Sequence, residues 1–449
     1  MGRTCSAARP LRLVALPQLP AVQGPFTPPH PARVPRVRPT IPAPHPVKIQ
    51  NVRYIFERAT ARRGRPAPMN APPAHVRSAD PGPAPLIQRL FAHLPRADQR
   101  RWAEIYLAGL LGTQGKKSVG RMAAAVTLSP TASQSLQQFI NVSPWSWGPV
   151  RAELARWVAD RAPVHSLTLA PVIVPKRGTL SVGVHRRFVP ALGRTVNCQL
   201  AMGAFLTGDA GARSVDWQLY LPRRWAETPE LRERARLPET LGYASASALC
   251  LALLDRVTRA LPSGLPVLVD PAGHLEPEAL VRGLEARGHD WIVAIPGTMA
   301  VIPAAGPASD TALALLRRQA RAAGAGPAVR PTPLRPVLRA LRARVPFPGL
   351  DRERLLVGEW TGPTAAPDRI WLSNLPRARH GQARVLIAAH ATTSLGGSEA
   401  ELGLHDFAGR SYPGWHRHAT LVSAAAVCRR LAEELGGQRR AELAGAARR

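Results

Sequence analysis

The sequence predicts an α/β protein: a mixed sheet flanked by helices, preceded by a small helical domain and a disordered Pro/Arg-rich N-terminal segment. Three observations carry this. Residues 1–84 are dense in proline and arginine, with Glu57 the only acid before Met69. Residues 85–163 space their apolar side chains at helical period, and from Leu167 onward strand patterns alternate with helical ones. Three strands in succession followed by alternating helix and strand suit a sheet with helices against it.

The N-terminal segment buries too little apolar surface to offset its ordering entropy, so disorder is expected over 1–84. A gene start set too early, with Met69 the true first residue, would leave the same trace. Helical spacing opens with Leu86, Ile87, Leu90, Phe91 and Leu94, and Pro95 stops it. Trp102, Ile105, Tyr106 and Leu110 form the next face, after the cap candidate Asp98. A third helix follows Gly115-Lys116-Lys117-Ser118. Ser129-Pro130 and Ser143-Pro144 read as caps, each with proline at the first helical position. The helical domain is thus expected over 85–163.

Residues 164–435 form the second expected domain, with a basic tail over 436–449. LTLAPVIV, LSVGVHRRF, TVNCQLAMGAFL and VDWQLYL read as four strands, the first three as a meander. A helix carries Leu249, Leu253, Leu254, Val257 and Leu261. PVLVD (266–270) is a buried strand, 277–287 a short helix and DWIVAIP a further strand. An arginine-rich stretch, 317–344, precedes a strand pair, RLLVGEW and RIWLSNLP, and a last helix runs through Leu421, Ala425, Cys428 and Leu431.

Lysine and arginine number 60 against 29 acids, a formal charge of +31. Such an excess points to a polyanionic partner, above all nucleic acid, although a composition bias toward arginine codons would raise it too. Cys5, Cys198, Cys250 and Cys428 form no CxxC pair, which fits reduced thiols rather than a disulfide framework or zinc site. Nothing approaches an apolar run of roughly 18 residues, so no membrane span is expected. A cytoplasmic, nucleoid-associated location follows from these readings.

Phosphate-loop, esterase and zinc-protease motifs are missing. Trp415-His416-Arg417-His418 has weak metal-ligand spacing and reads better as a solvated helix start or a phosphate contact. Asp270 closes a strand, where α/β folds place ligands. Lys116, Lys117 and Arg121 stand at a helix start, where backbone N–H groups also favour phosphate. Gln134, Gln137 and Gln138 suit base edges, with a solvated polar face as the alternative. Trp145 and Trp147 suit base stacking or core filling. Double-stranded DNA is the expected partner.

QSLQQFINVSPW, PKRGTLSVGV, NCQLAMG, VDWQLYLPRRW, IWLSNLP and ELGLHDFAGRSYPGWHRHATLV together resemble the DDE transposases of bacterial insertion sequences, the insertion-sequence 701 family most closely. The resemblance spans Leu86 to Leu435. It implies an RNase H-like core behind a helical DNA-binding domain, with two aspartates and a glutamate holding divalent ions, usually Mg²⁺, for phosphodiester cleavage and strand transfer. It adds Lys176, Arg177 and Arg410 to the expected DNA contacts.

This chain departs from the pattern at two of the three acids. Where the family's first aspartate lies in its strand, this sequence has Ala170 and Pro171. The second matches Asp270. Counting back from Glu401-Leu402-Gly403-Leu404 puts Thr392 at the glutamate, in a helix weakened by Gly396-Gly397, by roughly 1 kcal/mol per glycine. Asp270 alone would hold a metal weakly, so no cofactor is expected, or magnesium if activity persists. The implied protein is a DNA-binding relative without catalysis, pairing with itself or with an active transposase. Substitution by Glu399, Glu401, Asp216 or Asp406, or a decayed remnant, are the alternatives.

Overall fold

The computed structural model describes residues 82–127, 129–304, 309–322, 331–332, 335–347, 350, 352–362, 364 and 366–446, with side chains to 436. The expected disorder over 1–84 therefore lies almost wholly outside the described residues. Those described fall within one compact unit, Lys48–Arg449.

Five helices come first: α1 (Ala84–Ala92), α2 (Ala97–Gly112), α3 (Val119–Val126), α4 (Ala132–Asn141) and α5 (Trp147–Arg161). Their starts are set by local chemistry. At α2 the cap is Arg96, whose N–H donates to Gln99 Oε1 at 3.2 Å, while Asp98 sits inside the first turn, paired with the Arg96 side chain at 2.6 Å. At α3 the Ser118 hydroxyl accepts the Arg121 N–H. Helices α4 and α5 begin at Ala132 and Trp147, two to three residues after the Ser-Pro signals: Pro130 lies in the turn before α4, and Pro144 in the irregular segment before α5.

The sheet has strands β1 (Ser166–Pro175), β2 (His185–Val189), β3 (Arg194–Gly208), β4 (Gly211–Leu219), β5 (Val267–Val269), β6 (Trp291–Ile295), β7 (Ala300–Pro303), β8 (Asp310–Thr311), β9 (Val337–Arg344), β10 (Arg354–Trp360) and β11 (Arg369–Ser373). Their order is β2-β3-β1-β5-β6-β11-β10-β9-β7-β8, with β4 on β3. The β1–β5 and β5–β6 pairs are parallel, and β1–β3 is antiparallel. This mixed sheet has the RNase H-like arrangement.

The expected meander is corrected in order. β1 pairs with β3 rather than β2, because residues 176–184 form a connection of bends and a turn and the long β3 spans both neighbours, its first half against β2 and its second against β4. The arginine-rich stretch holds most of α10 (Ala312–Ala322) and β9, which carries Arg339, Arg342 and Arg344 and is half-buried along most of its length.

Between strands lie α6 (Arg223–Glu227), α7 (Pro229–Ala235), α8 (Ala246–Thr258) and α9 (Pro277–Ala286), followed after β11 by α11 (His380–Thr392), α12 (Gly397–Glu401) and α13 (Tyr412–Ala446). β5 and β6 are buried on both faces, as parallel strands between helical layers must be. Alternation sorts them: Val267, Val269, Trp291 and Val293 join the large core shared with α1–α5, while Leu268 and Ile292 face Leu386 and Ile387 of α11.

Candidate active site

β1 runs through the middle of the sheet and places Ala170, 6% exposed, opposite Gly203 of β3. Parallel pairing with β5 ends at Leu169↔Val269, and the next residue, Asp270, donates its N–H to Leu169 O at 3.3 Å. Ala170, midway along β1, and Asp270, just past the end of β5, therefore sit side by side. The turn that follows is tight: Ala272 adopts φ +47, a conformation an L-residue rarely takes, and its N–H donates to Asp270 Oδ1 at 3.0 Å.

The last turn of α11 closes the other side. His390 Nε2 lies 3.4 Å from Asp270 Oδ2, and Arg369 Nη2, at the start of β11, lies 3.5 Å from the same oxygen. A carboxylate only accepts, so Nε2 carries the hydrogen toward it. Behind His390, Trp371 meets the imidazole edge-on at 5.2 Å and donates its indole N–H to buried Glu359 at 2.7 Å. Ala170, Pro171, Asp270, Arg369, His390 and Thr393 line a cavity of about 210 Å³ between these elements.

Burial favours the protonated form of Asp270. The His390 hydrogen bond, the Arg369 and His390 fields and the Ala272 N–H outweigh it, and the carboxyl is held below the usual range. Glu359 goes the opposite way, pushed up by burial despite its Trp371 bond. Positive groups of the protein thus balance Asp270, in the place where a metal-using site would seat a cation.

Magnesium needs hard oxygen ligands in near-octahedral array. The cavity offers one carboxylate, already engaged by a guanidinium and an imidazole, and no cluster of three or more potential ligands occurs among the described residues. These residues do not fit a two-metal centre. The four carboxylates considered as substitutes are engaged elsewhere or lie off the cavity: Asp216 binds Arg151 and Arg256, Asp406 accepts the Lys117 N–H at 2.8 Å, Glu401 pairs with Arg429, and Glu399 lies along a separate groove.

Thr392 does not line the Asp270 cavity; it is exposed and bonds back to Ala389 O. Two residues along a helix amount to about 200° of rotation, so His390 and Thr392 cannot face the same point. His390 and Arg369 carry the site's chemistry, and sequence reasoning passed over both. The lone titratable side chain in Ala388-Ala389-His390-Ala391 was the available signal.

Of the expected DNA contacts, Lys116, Arg121, Gln138, Arg177 and Arg410 are exposed. Arg121 also donates to Gln114 O at 2.8 Å. Lys117 is buried, its ammonium bonded to Thr113 O; Gly403 lies against it at φ +94, where a Cβ would come within 2.5 Å of Lys117 Cγ. Lys176 donates to His405 O and Phe407 O, both at 2.9 Å, and burial pulls its pKa down to about 8. These two lysines clamp the 403–407 turn rather than face a ligand.

Trp145 is core, stacked on Phe139 at 5.6 Å, and Trp147 stacks on His416 at 4.9 Å. Trp415, His416, Arg417 and His418 are all buried, which corrects the solvated reading: α13 passes through the core and its start is wrapped by α2, α4 and α5.

Cys198, Cys250 and Cys428 are free and buried. No helix among the described residues is long and apolar enough to cross a membrane.

No curated protein matches the chain. A family model described as DDE superfamily endonuclease matches residues 89–344, which is more than half of the 449 and includes both β1 and Asp270. The chain is therefore a member of the DDE superfamily of endonucleases, a transposase-type family acting on DNA.

Proposed function

We propose that this protein is a transposase-like DNA-binding protein, related to the insertion-sequence 701 branch, that no longer cleaves its substrate. The observation that carries the reading is the company Asp270 keeps: Ala170 and Pro171 on one side, His390 and Arg369 on the other. The acids that hold metal in the family are replaced by an apolar pair and by nitrogen bases, while the frame around them remains packed. Duplex DNA is bound through its phosphates by the exposed basic residues, Lys116, Arg121, Arg177 and Arg410, with Gln138 at base edges. Such a protein occupies DNA ends without processing them, and so regulates or inhibits an active relative, alone or as a mixed dimer.

Two measurements test this. The purified full chain is expected to bind labelled duplex with strong salt dependence and to leave it uncut in Mg²⁺ or Mn²⁺, unchanged by Asp270→Ala. Metal-dependent nicking that Asp270→Ala abolishes would sink the reading. Conversely, Ala170→Asp combined with His390→Glu is expected to create metal-dependent nicking. Missing ligands cost several kcal/mol of transition-state stabilisation, so the gain is on the order of a thousandfold or more. Thr392→Glu in place of His390→Glu is expected to give none.

A further inference from the structure

Six large apolar side chains stand exposed among the described residues, and three of them, Leu180, Phe188 and Leu192, fall within one short stretch around β2. Phe188 is 57% exposed and Leu192 50%. The same stretch is one-sided in charge. No acid occurs between Asp160 and Asp209, whereas Lys176, Arg177, Arg186, Arg187 and Arg194 all do.

The apolar groups sit on a stiff support. β2 and the start of β3 pair from His185↔Cys198 to Val189↔Arg194, and the turn closes at Gly193, φ +59. Arg186 and Phe188 share one face of this hairpin and both are exposed, while Arg194, paired with Val189, is exposed on the opposite face beside the turn. On the other face, Arg187 reaches His274 at 3.5 Å and lies over Tyr220. The turn is seated on the loop after Asp270: a Cβ on Gly273 would come within 2.9 Å of Pro190 Cγ. Phe188 and Leu192 are thus held at a fixed place beside the candidate active site.

An aromatic ring with Arg186 on the same face, and no acid in reach along the chain, suits a polyanion whose interior is a stack of bases. It does not suit a second copy of the same face, which would set arginine against arginine. We infer that the β2–β3 hairpin is a DNA wedge: Phe188, with Leu192 beside the turn, enters a base step of duplex DNA while Arg186, on the same face, holds a flanking phosphate. This rests on the DNA-binding reading above and adds to it that the bound duplex is unstacked at the mouth of the cleft.

The test uses the full chain and duplexes carrying 2-aminopurine at successive positions, one set containing a mismatch to lower the unstacking cost. Binding, followed by anisotropy, is expected to raise 2-aminopurine fluorescence about threefold or more at a localised step, as its bases unstack. Phe188→Ala is expected to remove the rise and weaken binding about tenfold, the worth of one stacked base. Phe188→Trp is expected to keep the rise. Arg186→Ala should reduce the salt slope by about 1.

A complex that forms with no fluorescence rise, or a rise that survives Phe188→Ala with Leu192→Ala, overturns the wedge alone. Dimers that dissociate on Phe188→Ala while the DNA signal stays unchanged overturn it in favour of self-contact. Failure of the unaltered chain to bind duplex overturns both the wedge and the reading beneath it.

Discussion

Arg151→Ala is expected to lose about 3–5 kcal/mol of folding free energy, because it removes one member of a buried ion network and strands the rest. Arg151, 2% exposed, projects from α5 into the interior. Its guanidinium donates to Asp216 Oδ1 at 2.7 Å and Trp217 O at 2.6 Å on β4, and to Thr420 and His416 O on α13, both at 2.7 Å. One side chain therefore joins a helix of the N-terminal group, the sheet and the long C-terminal helix.

Arg256 also binds Asp216, at 2.7 Å, but from a partly exposed position. Burial pulls the Arg151 pKa down to about 10 against the opposing field of Asp216. Burial pushes Asp216 up, and the two arginines more than reverse it. Arg151→Lys keeps the charge but not the fork, and is expected to recover only a minor part of the loss. Urea unfolding of the three proteins measures this. A loss below about 1 kcal/mol for Arg151→Ala would mean that the network does not hold these elements together.

Acidification from pH 6.5 to 4.5 is expected to remove about 2 kcal/mol of stability through His418 alone. Gly403 O, 2.8 Å from Nε2, can only accept, so Nε2 carries the hydrogen and Nδ1 accepts from the Tyr106 hydroxyl at 2.8 Å. Protonation would put a hydrogen on Nδ1, against that hydroxyl proton, in a fully buried site. Burial accordingly pushes the His418 pKa down to about 4; the Gly403 bond and Asp406 oppose this and Lys176 adds to it. Fully buried His416, facing Arg151, shifts the same way.

The sign follows from linkage. A histidine whose folded pKa lies below its unfolded value gives stability that is complete above about pH 6.5 and is lost as pH falls toward the folded pKa. Asp216 and Asp270, held low, stay ionised through this window and lose their contribution only at lower pH. Denaturant midpoints at pH 7 and 4.5 are expected to differ sharply for the natural chain and less for His418→Gln. Equal slopes for the two proteins would show that His418 does not carry the acid sensitivity.

Much of the scaffold was legible because its signals are local. The Pro95 stop and the apolar runs of β1, β5 and β6 report their own geometry through propensity and periodicity. The strand position of Ala170 and the edge position of Asp270 follow from the same runs. Strand order could not be read this way. Whether β1 lies beside β2 or β3 depends on the length of β3 and the span of residues 176–184, and pairing between them is a long-range contact.

Side-chain direction was the other boundary. Lys117 and Arg121 stand four residues apart at one helix start, yet one ammonium turns inward to Thr113 O and the other cation stays exposed. Trp145 stayed open between base stacking and core, and the buried run 415–418 read as solvated, because only α13 threading between α2 and α5 encloses them.

By itself the sequence determined the α/β class, the basic character and the place of Ala170 on a buried strand, since composition and short-range pattern survive in any arrangement of the chain. Tertiary structure alone decided that His390 rather than Thr392 meets Asp270, and that Arg369 completes the cavity. The reason is rotational: a helix turns about 100° per residue, so a two-residue difference in register sends a side chain to the opposite side. Only the packing of α11 on Leu268 and Ile292 fixes which side that is.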